Sequence, residues 1–460
     1  MKISKAFSMV IALALVLILT GPGYAQLGDT DTSSFTVQNV SGSDNVEVTI
    51  KFIAEDGLER TPSDLGGGRT NPFYLDDGKS VQIVVSEIPS SQLPSGRYSV
   101  VISSSDKVVV VANLEGTGTN QFSGSYMGFS QGASTFYLVS TYYNFYDWYS
   151  MISVQNLSSD SDANVTLTIT CEDLITVGTL SATIPPHASV TWPLKSTTPT
   201  GFTAGVTQCR GSSVITADQS IVVAENQNKP LGGNTLSVVG LSSGTTKVYI
   251  PALYNSHWDW NSGLVIRKLE AGDTKVTINY TDGESDECDL TDSVPFCALY
   301  MPNYHTATGA FGATLTTSPG KQIAAIANST KGTLSMAYNG LGPGVGSQTV
   351  GLPVLYKGYF QWNSAWTCQN VGSIDTQINV TYEDFEGDAY DYPDTLKPGD
   401  MVRVYQPNET FLPTAYMGGA IITAKAIGAE IACIANLTNA NWEDPTKPGD
   451  WSASYNGIPK

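Results

Sequence analysis

Histidine is nearly missing from this chain: three occur in 460 residues, His187, His257 and His305, each in a turn-like stretch. A hydrolytic triad needs a base and an orienting acid gathered beside a nucleophile. No G-x-S-x-G elbow, H-E-x-x-H pair or phosphate-cradling glycine loop is present. The sequence is therefore read as non-enzymatic. Basic residues are also scarce, 23 Lys and Arg against 42 Asp and Glu, for a net charge of −19. A surface of that sign repels phosphate backbones, which excludes nucleic acid as a partner. Beyond the first 20 residues no apolar run approaches the ~18 residues of a membrane span, so the chain is not read as an integral membrane protein. No window carries a sustained 3.6-residue apolar stripe, which argues against a helical bundle. No C-x-x-C spacing occurs, which argues against a cysteine zinc site.

What is present begins with an export signal. "MKISK" is a basic start, "AFSMVIALALVLILTG" an apolar stretch, and "GYA" places small residues before Gln26. That is the layout of a secretory signal peptide, residues 1–25, and it implies a secreted, extracellular or cell-surface product. Removing it takes away Lys2 and Lys5, leaving 21 basic against 42 acidic residues, a net charge of −21.

The rest repeats. Four endings align, "VVVVANLEG" (108–116), "SIVVAENQN" (220–228), "QIAAIANST" (322–330) and "EIACIANLT" (430–438). Each is followed by a second landmark, "GSYMG", "LSVVG", "MAYNG" or "ASYNG". Openings match as well: "SFTVQNVS", "MISVQNLS", "GLVIRKLE" and "AWTCQNVG". The predicted units are 26–130, 131–243, 244–344 and 345–460. Within them apolar residues alternate, as in Val165, Leu167 and Ile169 or Val276, Ile278 and Tyr280. That period marks half-buried strands bounded by Gly, Pro, Asn and Asp. The predicted fold is all-β: four tandem immunoglobulin-like β-sandwiches. "YIPALYN" (249–255) and "SYNG" (454–457) resemble the Y-x-P-x-x-Y opening strand and S-Y-N-G end of tandem Ig-like repeat proteins of bacterial cell surfaces. That resemblance spans nearly all the chain after the signal and implies an architecture, with no catalytic residues.

The six cysteines fall two to a unit in the last three units, which predicts disulfides Cys171–Cys209, Cys288–Cys297 and Cys368–Cys433. The repeat register places Cys368 over Val37, Val154 and Ile266, and Cys433 over Val110, Val223 and Ala325. The last bridge is expected to link two facing strands through the core. Two acidic stretches, "TDGESDECD" (281–289) and "YEDFEGDAYDYPD" (382–394), follow the same strand in units three and four. They are read as solvated turns, with calcium at Asp282, Asp286, Asp384 and Asp388 as the alternative. No other cofactor is implied.

An aromatic loop recurs after the first strand of units two to four: "YNFYDWYS" (143–150), "YNSHWDWNSG" (254–263) and "YKGYFQWNS" (356–364). Its rings, Phe145 and Trp148, Trp258 and Trp260, Phe360 and Trp362, are read as plugs packing against the neighbouring unit. The alternative is a platform for glycans. Unit one has no comparable first strand after Gln26, so its edge and part of its core should be open to a strand from another copy. The predicted role is a non-catalytic structural subunit of an extracellular surface layer, sheath or filament that self-associates into a line or lattice. The alternative is a secreted adhesin or carbohydrate-binding protein using the aromatic loops.

Overall fold

The structure is a computed structural model describing residues 10–14, 30–117, 122–174, 176–202, 206–229, 233–342, 346–383, 390–440 and 450–460. Alternating sequence becomes alternating burial. In Thr274–Tyr280, Val276, Ile278 and Tyr280 face a core while Lys275 and Asn279 face solvent.

The third unit shows the plan. Its strands are Lys247–Asn255, Asn261–Lys268, Thr274–Tyr280, Ser285–Leu290, Phe296–Tyr300, Gly309–Thr317, Ile323–Lys331 and Leu334–Asn339, with a short helix, Met301–Tyr304, after the fifth. One sheet runs first-sixth-third-fourth and the other fifth-second-seventh-eighth, all antiparallel. The other units repeat this order. In the second unit, Cys209–Lys229 serves as sixth and seventh strands at once and so passes from one sheet to the other. In the fourth, the hairpin between the first and second strands joins the sheets. The fold is thus all-β sandwich, with four large apolar clusters, one for each stretch of sequence read as a unit.

The Y-x-P-x-x-Y signature has a structural cause. The first strand slips register between Ile250 and Leu253, and between Leu352 and Leu355, so Pro251 and Pro353 sit in bulges where no ladder donor is needed. In the first unit the place of the first strand is taken by Val10–Ala14, which pairs antiparallel with Tyr98–Ser104. Those residues lie inside the segment read as the export signal.

Disulfides join Cys171 to Cys209, Cys288 to Cys297 and Cys368 to Cys433. Cys368 pairs with Cys433 in the same register as Val37 with Val110, Val154 with Val223 and Ile266 with Ala325. These are neighbours on adjacent strands of one sheet. The expectation of a bridge between facing sheets is corrected: the second strand hydrogen-bonds directly to the seventh, so the cysteines meet side by side.

The four units close into a ring. Each eighth strand packs on the next: Phe122–Met127 on Asn234–Val239, that on Leu334–Asn339, that on Ser452–Asn456, and the last back on the first. A second set of contacts runs the same way. The residue in the middle of each seventh strand points out of its own sandwich into the preceding one. Ala224 joins the first core, Ile326 packs with Val139 of the second, and Ile434 joins the third. Val111 of the first unit completes the cycle in the core of the fourth.

Polar groups line the axis. Ser125, Ser237 and Ser454 each donate to the asparagine opposite on the seventh strand, Asn113, Asn226 or Asn436, at 2.7, 2.7 and 2.6 Å. In the third unit Ala337 stands at the serine's place, and the Oδ1 of Asn328 has no partner among the described residues. Asp450, fully buried, accepts from the amides of Thr235, Ser335 and Ser452 and from the hydroxyls of both serines. One carboxylate of the fourth unit thereby ties the start of three eighth strands. Burial lifts its pKa to about 8 against the pull of those donors.

Candidate functional site

The aromatic loops are tight hairpin turns between the first and second strands. Backbone bridges close them at Phe145–Trp148 and His257–Trp260, and Tyr359 pairs with Trp362 in the fourth unit. The two central residues of each turn have positive φ: Tyr146 (48°) and Asp147 (65°), Trp258 (50°) and Asp259 (66°), Phe360 (44°) and Gln361 (69°). That is the backbone of a two-residue type I′ hairpin, usually filled by Asn-Gly. A large ring at the first central position costs strain and is rare outside functional sites. All three units place one there, and the rings stand out at 71%, 56% and 78% exposure.

Below each tip the rings form one arrangement. The tyrosine ending the first strand stacks on the ring before the tip: Tyr142 on Phe145 at 6.1 Å, Tyr254 on His257 at 5.9 Å, Tyr356 on Tyr359 at 6.3 Å. The tryptophan after the tip leans on the same tyrosine in each case. A serine of the second strand holds the tyrosine's amide: Ser150, Ser262 or Ser364.

Each turn reaches the next unit of the ring. Trp148 packs with Leu236, Val238 and the third unit's Ala337. Tyr356 and Trp362 line a small gap with Leu114 and Glu115 of the first unit. The third turn is the most developed. Its tip Trp258 lies 5.8 Å from Tyr405 of the fourth unit, and the Arg403 guanidinium stands 4.9 Å from Trp258 and 5.4 Å from Tyr254. His257 meets the same guanidinium through Nε2. Burial, reinforced by the Arg403 charge, pushes its pKa down to about 4, so the ring is a neutral acceptor. Beside these groups opens a cleft of about 360 Å³, lined by Tyr254, Trp258, Arg403, Tyr405, Asn363 and Thr438 among others.

Of the six aromatics singled out in the sequence, Trp258 and Phe360 are tips, and Trp148, Trp260 and Trp362 close the turns. Phe145 precedes the tip and is covered by Arg210 at 5.0 Å. The residue equivalent to Trp258 and Phe360 in the second unit is Tyr146, which sequence reasoning missed. Aligning Y-D-W, W-D-W and F-Q-W on the tryptophan would have found it.

The acidic residues part company. Asp286 accepts the hydroxyl of Tyr280 at 2.9 Å, whereas Asp282 lies in the hairpin turn with Glu284, beside His305. Asp384 and Asp388 lie outside the described residues. No described helix is long and apolar enough to cross a membrane. No protein-family model and no curated protein matches the chain. A solved structure described as "Crystal structure of tetra-tandem repeat in extending region of large adhesion protein" aligns over 98% of this chain and 99% of that one, at 11% identity and a TM-score of 0.10, a level that bears on neither fold nor role.

Proposed function

We propose that the protein is a non-catalytic structural subunit of an extracellular surface assembly, joined copy to copy by strand exchange. The observation that carries this reading is the position of Val10–Ala14. Ala12 stands opposite Ile102 and Ala14 opposite Val100. Their register equivalents are Phe136 and Leu138, Val248 and Ile250, Val350 and Leu352, all buried in their cores. The first unit thus holds alanines where the others hold large apolar residues, on a segment that export would remove. Loss of residues 1–25 leaves the edge of Tyr98–Ser104 unpaired beside a core, a template for another strand.

The test is size-exclusion chromatography with light scattering, and electron microscopy, on residues 26–460. Concentration-dependent multimers are expected. Fusing Lys247–Asn255 by a flexible linker ahead of Gln26 supplies a strand in cis and should return a monomer. A monomeric 26–460 chain whose Tyr98–Ser104 amides resist hydrogen exchange would overturn the proposal.

A second reading, adhesion to carbohydrate, is favoured by the cleft at the third turn, where rings stand beside Arg403, Asn363 and Thr438. Saturable binding on a glycan array that Trp258→Ala abolishes would decide for it.

A further inference from the structure

We propose that Asp282, Glu284 and His305 form a site for a divalent cation of the zinc type, which takes imidazole nitrogen together with carboxylate oxygen. The two acids lie in the turn between the third and fourth strands of the third unit, a turn closed at Gly283, whose φ is 94°. His305 follows the short helix Met301–Tyr304, and its amide bonds to the carbonyl of Met301 at 2.8 Å. These are the only such cluster of three metal-ligating side chains among the described residues, their ligand atoms all within 4.8 Å of one another.

An acidic turn alone would mean little. The second observation is the imidazole. His305 is 3% exposed, stacked on Phe311 at 3.8 Å and met edge-on by Tyr280 at 4.7 Å, so its orientation is locked. Nδ1 lies 3.0 Å from the carbonyl oxygen of Ala307. A carbonyl can only accept, so Nδ1 carries a proton and donates. In the neutral ring, Nε2 is then a lone pair. It makes no hydrogen bond among the described residues, although Asp282 Oδ2 lies 3.0 Å away and Glu284 Oε2 3.9 Å away. A lone pair and two carboxylates gathered this closely repel one another until a positive charge sits among them. A carbonyl that accepts from the far nitrogen of a histidine fixes the tautomer and orientation of metal-ligating imidazoles.

The carboxylates are held for the same task. Glu284 accepts the amides of Thr306 and Ala307, each at 3.1 Å, and the hydroxyl of Thr306. Oδ1 of Asp282 accepts the Glu284 amide at 3.2 Å, which turns Oδ2 toward the histidine. One nitrogen and two oxygens suit zinc, with ligand bonds of ~2.0–2.2 Å, and leave a fourth position for water. Calcium, which gathers ~6–8 oxygens, is poorly served. The side chains of both acids are 32% exposed, so an ion has a path in from solvent. Bound there, it would pin the acidic turn to the segment entering the sixth strand.

The experiment uses the full chain stripped with chelator and titrated with Zn²⁺, Co²⁺ or Ca²⁺, read by calorimetry, thermal midpoint and the visible absorption of Co²⁺. One equivalent of Zn²⁺ should bind and raise the midpoint, Co²⁺ should develop a visible band, and Ca²⁺ should do neither. His305→Gln should abolish binding. Because a buried residue can also disturb folding, Asp282→Asn is the second variant: it keeps an acceptor for the Glu284 amide and removes one repelling charge, so it should weaken Zn²⁺ binding by ~10–100-fold or more without lowering the metal-free midpoint. Absence of Zn²⁺ binding would mean that a protonated imidazole simply pairs with Asp282, and would overturn the site. Binding unchanged in both variants would overturn it equally.

Discussion

Glu225 carries a consequence for pH. Its position on the seventh strand is alanine in the other units, Ala112, Ala327 and Ala435, each facing a core. The glutamate is fully buried: Oε1 accepts from Ser150 at 2.5 Å, and Oε2 has no hydrogen-bond partner among the described residues. Burial raises its pKa to about 8. Folded chains therefore hold a proton there that unfolded chains release above the ordinary carboxylate pKa of about 4.3. Stability from this group is complete below that value and declines as pH rises toward 8, where the folded carboxyl also ionises. Glu225→Gln should flatten the decline, so the variant gains on wild type by ~1 kcal/mol or more between pH 5 and pH 8 in urea unfolding. Parallel profiles would show that the carboxyl is ionised in the fold. None of this could be read beforehand: a glutamate in "VVAENQN" looks like an edge residue until the register puts it inside. The cysteine register was readable because three of four units carry plain apolar residues at the same two positions.

At the scale of elements, the strands were legible because their period of two survives in every unit, and the landmarks gave the pairing. What the sequence hid was which sheet each strand joins, since alternation says which face is buried and nothing about the neighbour. The strained tips were hidden for another reason. Type I′ turns advertise themselves by Asn-Gly, and here the left-handed positions hold Tyr-Asp, Trp-Asp and Phe-Gln. Glycine matters more where the eighth strands cross. A Cβ on Gly124 would come within 2.1 Å of the Oγ of Ser237 and 3.3 Å of its Cβ, and that hydroxyl is committed to Asn226. Gly124→Ala should cost about 1–3 kcal/mol by overpacking this crossing. Ser237→Ala in the same chain should restore part of the loss, giving a coupling energy above ~0.5 kcal/mol in a double-mutant cycle. Strict additivity would mean that the first and second units do not meet there in solution.

For the whole molecule, the ring is the feature that the sequence did not disclose. Contacts that close it use Gly, Ser, Ala and Asn on edge strands, residues that in a tandem array read as ordinary surface. Val111 is the clearest marker of closure, fully buried in the fourth unit's core although it belongs to the first. Val111→Asp should open that joint: small-angle scattering should show a larger radius of gyration with far-ultraviolet dichroism unchanged. An unchanged radius would mean that other contacts suffice, and Ser80 with Glu383 and Lys460 with Asp77 are the ones at hand. Three joints of the ring link consecutive stretches of chain, while the fourth joins the two ends. It is therefore an intramolecular latch: the other three hold its halves at an effective concentration near the millimolar range, so contacts too weak to pair separate proteins are enough to keep it shut. By the same arithmetic it is the first joint to open, and when it opens it frees two matched surfaces, one on each end of the chain. At high protein concentration two copies whose latches have opened would satisfy each other's in place of their own, turning closed rings into a chain of opened ones without forming a single kind of contact that the closed molecule lacks.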